Sequence, residues 1–219
     1  MEGLTVEDDT PHRPGERIYQ GAEATLEAAL FLGRLAVVKR RHRKGYRIDE
    51  LEATIAKTRM RTEARLMRRA RAAGVSVPAV LAVDPAAQTL VLEYLGRHAL
   101  RSTYDGLPAA RRRALARQAG RAAGRLHRAG VVHGDLTTSN MIARGGRVFL
   151  FDFSLGRVAG DTEELAVDLK AFKDSFVATH LEHGREFQHV VRGYEDVVGK
   201  RAAAVVAQIG RIERRRRYA

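Results

Sequence analysis

The chain has no cysteine, which excludes a disulfide framework and any thiolate metal site. Its opening residues, MEGLTVEDDTPHRPGE, lack the basic-then-apolar order of a signal peptide, and no apolar run reaches membrane-spanning length. These absences predict a soluble, cytoplasmic protein with no membrane partner. Glycine is scarce where a nucleotide-binding loop would use it. The segment Gln20-Gly21-Ala22-Glu23-Ala24 holds one glycine where a G-x-G-x-x-G loop has three.

With 219 residues the chain can form one large domain or two small lobes around a real core. The formal net charge is +13, with arginine supplying most of the excess. Such a surplus fits a polyanionic partner or an acidic protein surface. Arginines that merely solvate helix faces would give the same composition.

The most informative stretch is His133–Phe153, HGDLTTSNMIARGGRVFLFDF. Gly145-Gly146, between Met141-Ile142 and Val148–Phe151, predicts a tight hairpin. That hairpin would bring Asn140, at the end of one loop, close to Asp152, at the end of the returning strand. Two such oxygen-bearing side chains could share Mg2+, which takes few protein carboxylates and leaves room for phosphate oxygens. Asp135 would lie within reach of the same phosphates and could accept a proton from an attacking hydroxyl or water. An H-x-D-x-x-x-x-N string alone is weak evidence, since such a loop is also built from Asx-turns. The D-F-x-x-G run from Asp152 to Gly156, at hairpin distance, turns the balance towards phosphoryl transfer.

Upstream, two strands joined by a small-residue turn at Gly21, Ala22 and Glu23 are followed by a strand ending Ala36-Val37-Val38-Lys39. Small residues let backbone N–H groups approach phosphates. The strand resembles the V-A-I-K pattern whose lysine pairs with nucleotide phosphates. After the basic loop Arg40–Arg47, helical periodicity runs from Asp49 or Glu50 to Ala73, with Leu51, Ile55, Ala64, Met67 and Ala70 on one stripe and Gly74 closing it. Glu63 is the candidate partner of Lys39. Its alternative is a surface carboxylate paired with Arg59 one turn earlier. A second hairpin, Val77–Val83 and Thr89–Leu95 about Asp84-Pro85, completes a small antiparallel sheet and leads out through Leu92–Leu95, whose backbone could meet an adenine edge.

Pro108 and Gly130 bracket a long helix whose core side is Leu115, Ala119, Ala122 and Leu126, with Gly120 and Gly124 permitting close packing. Arg113, Arg117, Arg121 and Arg125 form a stripe read as a solvated face, with RNA contact as the alternative. Asp161 and Glu164 suggest a capping pair opening a helix with Leu165, Leu169, Phe172 and Phe176 inward. Asp168, at the edge of that stripe, needs hydrogen-bond partners and could hold the catalytic-loop backbone. His180 and His183 lack a third convincing ligand and read as a helix end.

Taken together, Lys39, Glu63, Asp135, Asn140 and Asp152 resemble the protein-kinase constellation. More specifically, the chain resembles the KEOPS-complex kinase family, also called the PRPK family, over nearly its whole length. The stretches that carry the resemblance are QGAEA at 20–24, K-x-R-x-x-K-x-Y-R from Lys39 to Arg47, T-x-x-x-x-E-A from Thr58 to Ala64, HGDLTTSN at 133–140, DFSLG at 152–156 and AVDL at 166–169.

That resemblance implies an α+β, bilobal kinase-like fold with a small N-terminal sheet lobe bearing one long helix and a mainly helical C-terminal lobe. The expected divisions are a flexible leader over 1–15, lobes over 16–95 and 96–210, and a basic tail over 211–219. It implies ATP and Mg2+ as cofactors, Asp135 as catalytic base, and Asn140 and Asp152 as metal ligands. Gly21, Ala22, Glu23, Lys39, Glu63, Glu93 and Leu95 would surround ATP, and His133 and Asp168 would support the loop. It further implies serine/threonine kinase or ATPase activity beside a threonylcarbamoyl-transferase subunit acting on tRNA, with another small KEOPS subunit on the N-terminal lobe. Arg214, Arg215, Arg216 and Arg217 would influence tRNA engagement.

The sequence departs from the pattern at Ser154, where the family usually has glycine, and at Ile48-Asp49, where a proline is expected. Gly134 and Thr137 replace an arginine and a lysine of many protein kinases. The short segment between Asp152 and Asp168 predicts a poor general protein kinase. A RIO-type kinase or small-molecule phosphotransferase is one alternative function; a tRNA- or protein-binding scaffold with a kinase fold is another.

Overall fold

Short antiparallel strands joined by tight turns build the first layer. The computed structural model describes residues 10–21, 24–42, 49–158 and 161–217, with the backbone alone for 49–56 and 216–217. Strands β1 (Arg17–Gln20), β2 (Ala24–Phe31) and β3 (Arg34–Arg41) form consecutive antiparallel pairs. Leu32 and Gly33, both at positive φ, make the β2–β3 turn, the backbone that matches strand twist in a two-residue hairpin. Helix α1 (Asp49–Ala72) follows and stops at Gly74, whose φ is +78°. The helix begins and ends within one residue of the expected bounds. β4 (Val80–Asp84) and β5 (Thr89–Glu93) complete a sheet ordered β1-β2-β3-β5-β4. The Asp84 carboxylate accepts from the N–H groups of Ala86 and Ala87, both at 2.9 Å, and fixes that turn.

Beyond the connector lie α2 (Leu100–Thr103), α3 (Ala109–Arg128) and β6 (Val131–Val132). A 3-10 turn (Thr138–Asn140) leads into the hairpin of β7 (Met141–Arg144) and β8 (Arg147–Leu150). Gly145 and Gly146 supply its two positive-φ positions, as the sequence requires. β9 (Arg157–Val158) pairs with β6, after which α4 (Thr162–Thr179), α5 (Phe187–Val198) and α6 (Arg201–Arg217) finish the chain.

The core of this half is α3 laid on α5. A Cβ on Gly120 would lie 1.9 Å from the Val190 carbonyl oxygen, and one on Gly193 would lie 2.0 Å from that of Arg117. Only paired glycines let the two helix backbones approach so closely. Leu115, Ala119, Ala122 and Leu126 are buried, as expected for the inward side of α3. On α4, Leu169, Phe172 and Phe176 are buried and Leu165 is partly so. Asp161 caps α4, accepting from the Glu164 N–H at 2.9 Å, while the Glu164 side chain accepts from Arg157 at 2.8 Å.

At two of the expected divisions the described residues make specific contacts. Residues 10–15 of the expected leader make contacts at the connector: Tyr94 meets His12, and Arg97 donates to the Thr10 carbonyl at 3.1 Å. Pro11 and Pro14 bar regular structure there, and side-chain bonds tie the irregular segment to the connector. The expected basic tail is the last part of α6, with no break at 211. Lys173 pairs with Glu213 at 2.8 Å, and Arg215 with Glu163 at 3.4 Å, docking that helix end on α4. Residues 1–9 of the leader lie outside the described residues.

Candidate active site

Lys39 and Arg41 stand two residues apart on β3, so both project from one face of the sheet. Glu63 of α1 meets both. Lys39 Nζ donates to Oε1 at 2.7 Å, and Arg41 Nη2 donates to Oε2 at 2.8 Å. Glu63 is 1% exposed and Lys39 6% exposed. With both oxygens engaged in the interior, Glu63 is not the surface carboxylate that pairing with Arg59 would require. Burying three charges is tolerable because each is paired.

Lys39 Nζ also reaches Asp152 Oδ1 at 2.8 Å. Asp152 sits at φ +61°, an uncommon conformation for a residue with a side chain and one that concentrates at functional sites. Burial pushes its carboxyl up, but the Lys39 ammonium and the bonds from Ser154 outweigh that and hold it at about 2. The Ser154 N–H donates to the same Oδ1 at 3.3 Å. The carboxylate is therefore ionised at neutral pH, as a metal ligand must be.

Asn140, at the end of the 3-10 turn, donates from Nδ2 to the Asp135 carbonyl at 2.9 Å and to Asp135 Oδ2 at 2.8 Å. Asp135 is exposed. The Phe151 N–H donates to the Asn140 carbonyl at 3.1 Å, joining the loop to the residue before Asp152 as the hairpin predicts. Asn140 has its amide nitrogen committed and its Oδ1 available; Asp152 has Oδ1 committed and Oδ2 available. This pair of oxygens suits a hard cation that draws its other ligands from phosphate and water. No cluster of three or more His, Asp or Glu able to hold a metal occurs among the described residues.

The loop that carries Asp135 is held from behind by Asp168 of α4. Its Oδ2 accepts from the His133 N–H at 2.8 Å and meets His127 Nε2 at 3.0 Å; its Oδ1 accepts from the Gly134 N–H at 2.8 Å. Burial opposes the charge on Asp168, but these donors, His127 first, hold its carboxyl below the usual range. His133 is fully buried, faces the Phe151 carbonyl through Nε2 at 3.0 Å and packs on Phe153. Its Nδ1 is buried with no partner, and burial lowers its pKa, so the ring is neutral. Gly134 has φ +80°, and a Cβ there would lie 2.2 Å from the Leu155 carbonyl oxygen. The arginine that many kinases carry at this position cannot be accommodated.

The remaining expected positions divide. Gly21 donates to the Ala24 carbonyl at 3.0 Å, closing the β1–β2 turn. Ala22 and Glu23, the Lys44-Gly45-Tyr46-Arg47 part of the basic loop, and the side chains of Leu51, Ile55, Arg216 and Arg217 lie outside the described residues. Glu93 ends β5; its carboxylate accepts from the Ala79 N–H at 3.0 Å and lies 3.7 Å from Arg144. Leu95 is buried in the connector. Arg214 and Arg215 are exposed at the end of α6, with Arg215 against α4 and not among the residues above.

Sequence reading missed Arg41, although a period of two from Lys39 would have found it. It also missed His127, which links Asp168 to the Tyr194 hydroxyl at 2.9 Å. His180, read as a helix end, does cap α4. It is also fully buried, bridging Asp105 at 2.7 Å and Thr138 at 3.0 Å beneath the Asn140 turn. No local pattern marks either histidine.

Comparison with known proteins gives the family. Residues 32–165 match the RIO domain family model. The chain is 39% identical to the KEOPS complex subunit Bud32 of Pyrococcus abyssi over 209 residues, covering 92% of this chain and 95% of that protein. It is 38% identical over 206 residues to the probable bifunctional tRNA threonylcarbamoyladenosine biosynthesis protein of Methanothermobacter thermautotrophicus, covering 94% of this chain but 37% of that protein. The chain thus spans a little over a third of the bifunctional relative. Among solved structures, WaaP in complex with acyl carrier protein superposes with a TM-score of 0.59 at 21% identity, over 92% of this chain and 88% of that one. At that identity the likeness speaks for the kinase-like fold alone.

Proposed function

The chain belongs to the family of the KEOPS complex subunit Bud32 and carries a RIO domain, and on that premise we propose that it is an ATP-dependent phosphotransferase or ATPase supporting threonylcarbamoyladenosine modification of tRNA. The RIO-type and KEOPS readings, alternatives on sequence, become one: the RIO domain is the part of this chain on which the KEOPS function would rest. The observation that carries the proposal is the Lys39 bridge between Glu63 and Asp152, at 2.7 and 2.8 Å, beside the Asp135–Asn140 pair. A pure scaffold needs none of these five residues.

Bound Mg2+-ATP would supply the phosphoryl group, with Asn140 Oδ1 and Asp152 as the protein's ligands to the metal. Lys39, oriented by Glu63, would lend its ammonium to the phosphates as negative charge shifts during transfer. Arg41 neutralises the second Glu63 oxygen, leaving Lys39 able to turn towards phosphate without stranding the carboxylate. Asp135 would accept the proton of the attacking hydroxyl or water at Oδ1, since Oδ2 is engaged by Asn140. Gly21 and its neighbours would cover the phosphates, and the Glu93–Leu95 backbone would meet the base. Only β9 and a few residues separate the Asp152 turn from α4, which supports water or a partner-presented group, rather than a docked peptide, as acceptor. The partners proposed are the threonylcarbamoyl-transferase subunit, a further small KEOPS subunit on the β1–β5 lobe, and tRNA, with the end of α6, Arg214–Arg217, contributing to tRNA engagement.

The test is phosphate release from labelled ATP with Mg2+, alone and with the transferase subunit plus tRNA. Turnover that is stimulated by those additions and falls at least about a hundredfold in Asp135→Ala supports the reading. ATP binding without turnover under either condition would replace it with the scaffold.

A further inference from the structure

Gln118, Arg121, Arg125 and Arg128 recur at three- and four-residue intervals along α3, which puts them on one face of the helix. Two open clefts lie end to end along that face. One, of about 470 Å³, is bounded by Arg121 and Arg125, by Ser76 after α1, and by Gly146 and Arg147 at the tip of the β7–β8 hairpin. The other, of about 490 Å³, is lined by Arg125, Arg128, Asp196 and Val197. Arg125 borders both, and Ala73 of one precedes Gly74 of the other, so the two clefts adjoin.

The charge in this groove is lopsided. Its carboxylate, Asp196, is taken by Arg117 at 2.8 Å and Arg121 at 2.9 Å, so that anion is offset twice over. Arg128 donates only to the Val197 carbonyl, at 3.3 Å. Arg125 and Arg147 are exposed and have no carboxylate partner among the described residues. Three guanidiniums are therefore left to face solvent, Arg125 and Arg128 from α3 and Arg147 from the hairpin tip.

We propose that this groove binds the phosphodiester backbone of RNA. Arg125 and Arg128 lie roughly 4.5 Å apart along the helix axis at about 1.5 Å per residue, and Arg147 adds a third cation from the opposite wall. A row of cations along a trough fits a chain of regularly repeated anions, whereas one small anion would need donors converging on a single point. The planar guanidinium fork suits phosphate oxygens. No aromatic ring lines either cleft, so bases would not be stacked there and contact would be insensitive to sequence. An acidic protein partner would need apolar anchors at the centre of its interface. The exposed large apolar residues, among them Leu30, Leu32, Leu155 and Leu181, do not line the groove. The inference deepens the proposed tRNA function and rests on it for the identity of the RNA. It differs from the α6 contact in location, and the hairpin whose tip forms one wall ends, at its other end, in Asn140 and Asp152.

The experiment is binding of labelled tRNA to the full chain across a salt series, comparing wild type with the Arg125→Ala/Arg128→Ala/Arg147→Ala triple variant and with Arg147→Glu alone. Arg147→Glu changes the exposed hairpin tip without touching a helix, so it stays informative if the triple variant unfolds. Each lost phosphate contact removes about 0.7 to 0.9 from the slope of log affinity against log salt, so the triple variant should flatten it by roughly two to three. An unchanged affinity and slope in both variants overturns the groove. Equal wild-type binding of polyglutamate, lost equally in the variants, overturns RNA in favour of an acidic protein. ATP turnover measured on the same preparations separates the two proposals: wild type without turnover, but with groove-dependent tRNA binding, sinks the enzymatic reading and supports this one.

Discussion

Replacing Asp168 by Asn tests how the Asp135 loop is held, because it keeps the shape and removes only the acceptor pattern. The carboxylate receives two backbone N–H groups and faces His127 Nε2, all within 3.0 Å and almost wholly buried. An amide has one acceptor oxygen and one donor nitrogen. If its oxygen takes the Oδ2 place, the amide nitrogen faces the Gly134 N–H. If it takes the Oδ1 place, the nitrogen faces the His133 N–H, although His127 could accept after a change of tautomer. Either way one buried backbone donor is stranded, which costs about 1–3 kcal/mol. The surviving bonds also lose their charge assistance, and the sum is on the order of 3 kcal/mol. Denaturant unfolding should show that loss at neutral pH, with turnover falling at least tenfold because the Asp135 loop is no longer fixed. The folded-state pKa of Asp168 is depressed, so its contribution is present above the ordinary carboxylate range and disappears as pH falls through the folded value. The gap between wild type and variant should therefore close on acidification. A variant within 0.5 kcal/mol of wild type, with normal turnover, would refute the view that Asp168 anchors this loop.

Three other outcomes are expected. Glu63→Gln leaves the buried Lys39 and Arg41 short of a counter-charge; unfolding should show a loss on the order of 3 kcal/mol, and ATP turnover should drop while Arg59→Ala has little effect. Gly134→Ala places a methyl 2.2 Å from the Leu155 carbonyl at φ +80°, and a thermal melt should reveal destabilisation of at least about 2 kcal/mol through strain and displacement of the Asp152 turn. Asp152, held at about 2, contributes stability above its unfolded range that is lost as pH falls from about 4 towards 2; an NMR titration that put its midpoint near 4 would show that the Lys39 bridge does not form in solution.

The sequence by itself determined most of the local structure and the identity of the chemical groups. Gly145-Gly146 demanded the hairpin that places Asn140 opposite Phe151, and the apolar stripes of α3 and α4 face inward because helical periodicity permits no other burial. Lys39 and Glu63 were legible as a pair because an apolar strand ending in lysine and a helix with one carboxylate by its stripe left few alternatives. What local pattern could not carry was the set of partners drawn from distant segments. Arg41 joins Glu63, His127 and Tyr194 stand behind Asp168, and His180 supports the Asn140 turn, because packing of α3, α4 and α5 brings residues dozens of positions apart into hydrogen-bond range. Even the arginine stripe on α3 divided only in the folded state, where Asp196 of α5 takes Arg117 and Arg121 and leaves Arg125 to face solvent. Charge along a helix is written in its sequence, but which charges are neutralised depends on what the tertiary structure lays against it.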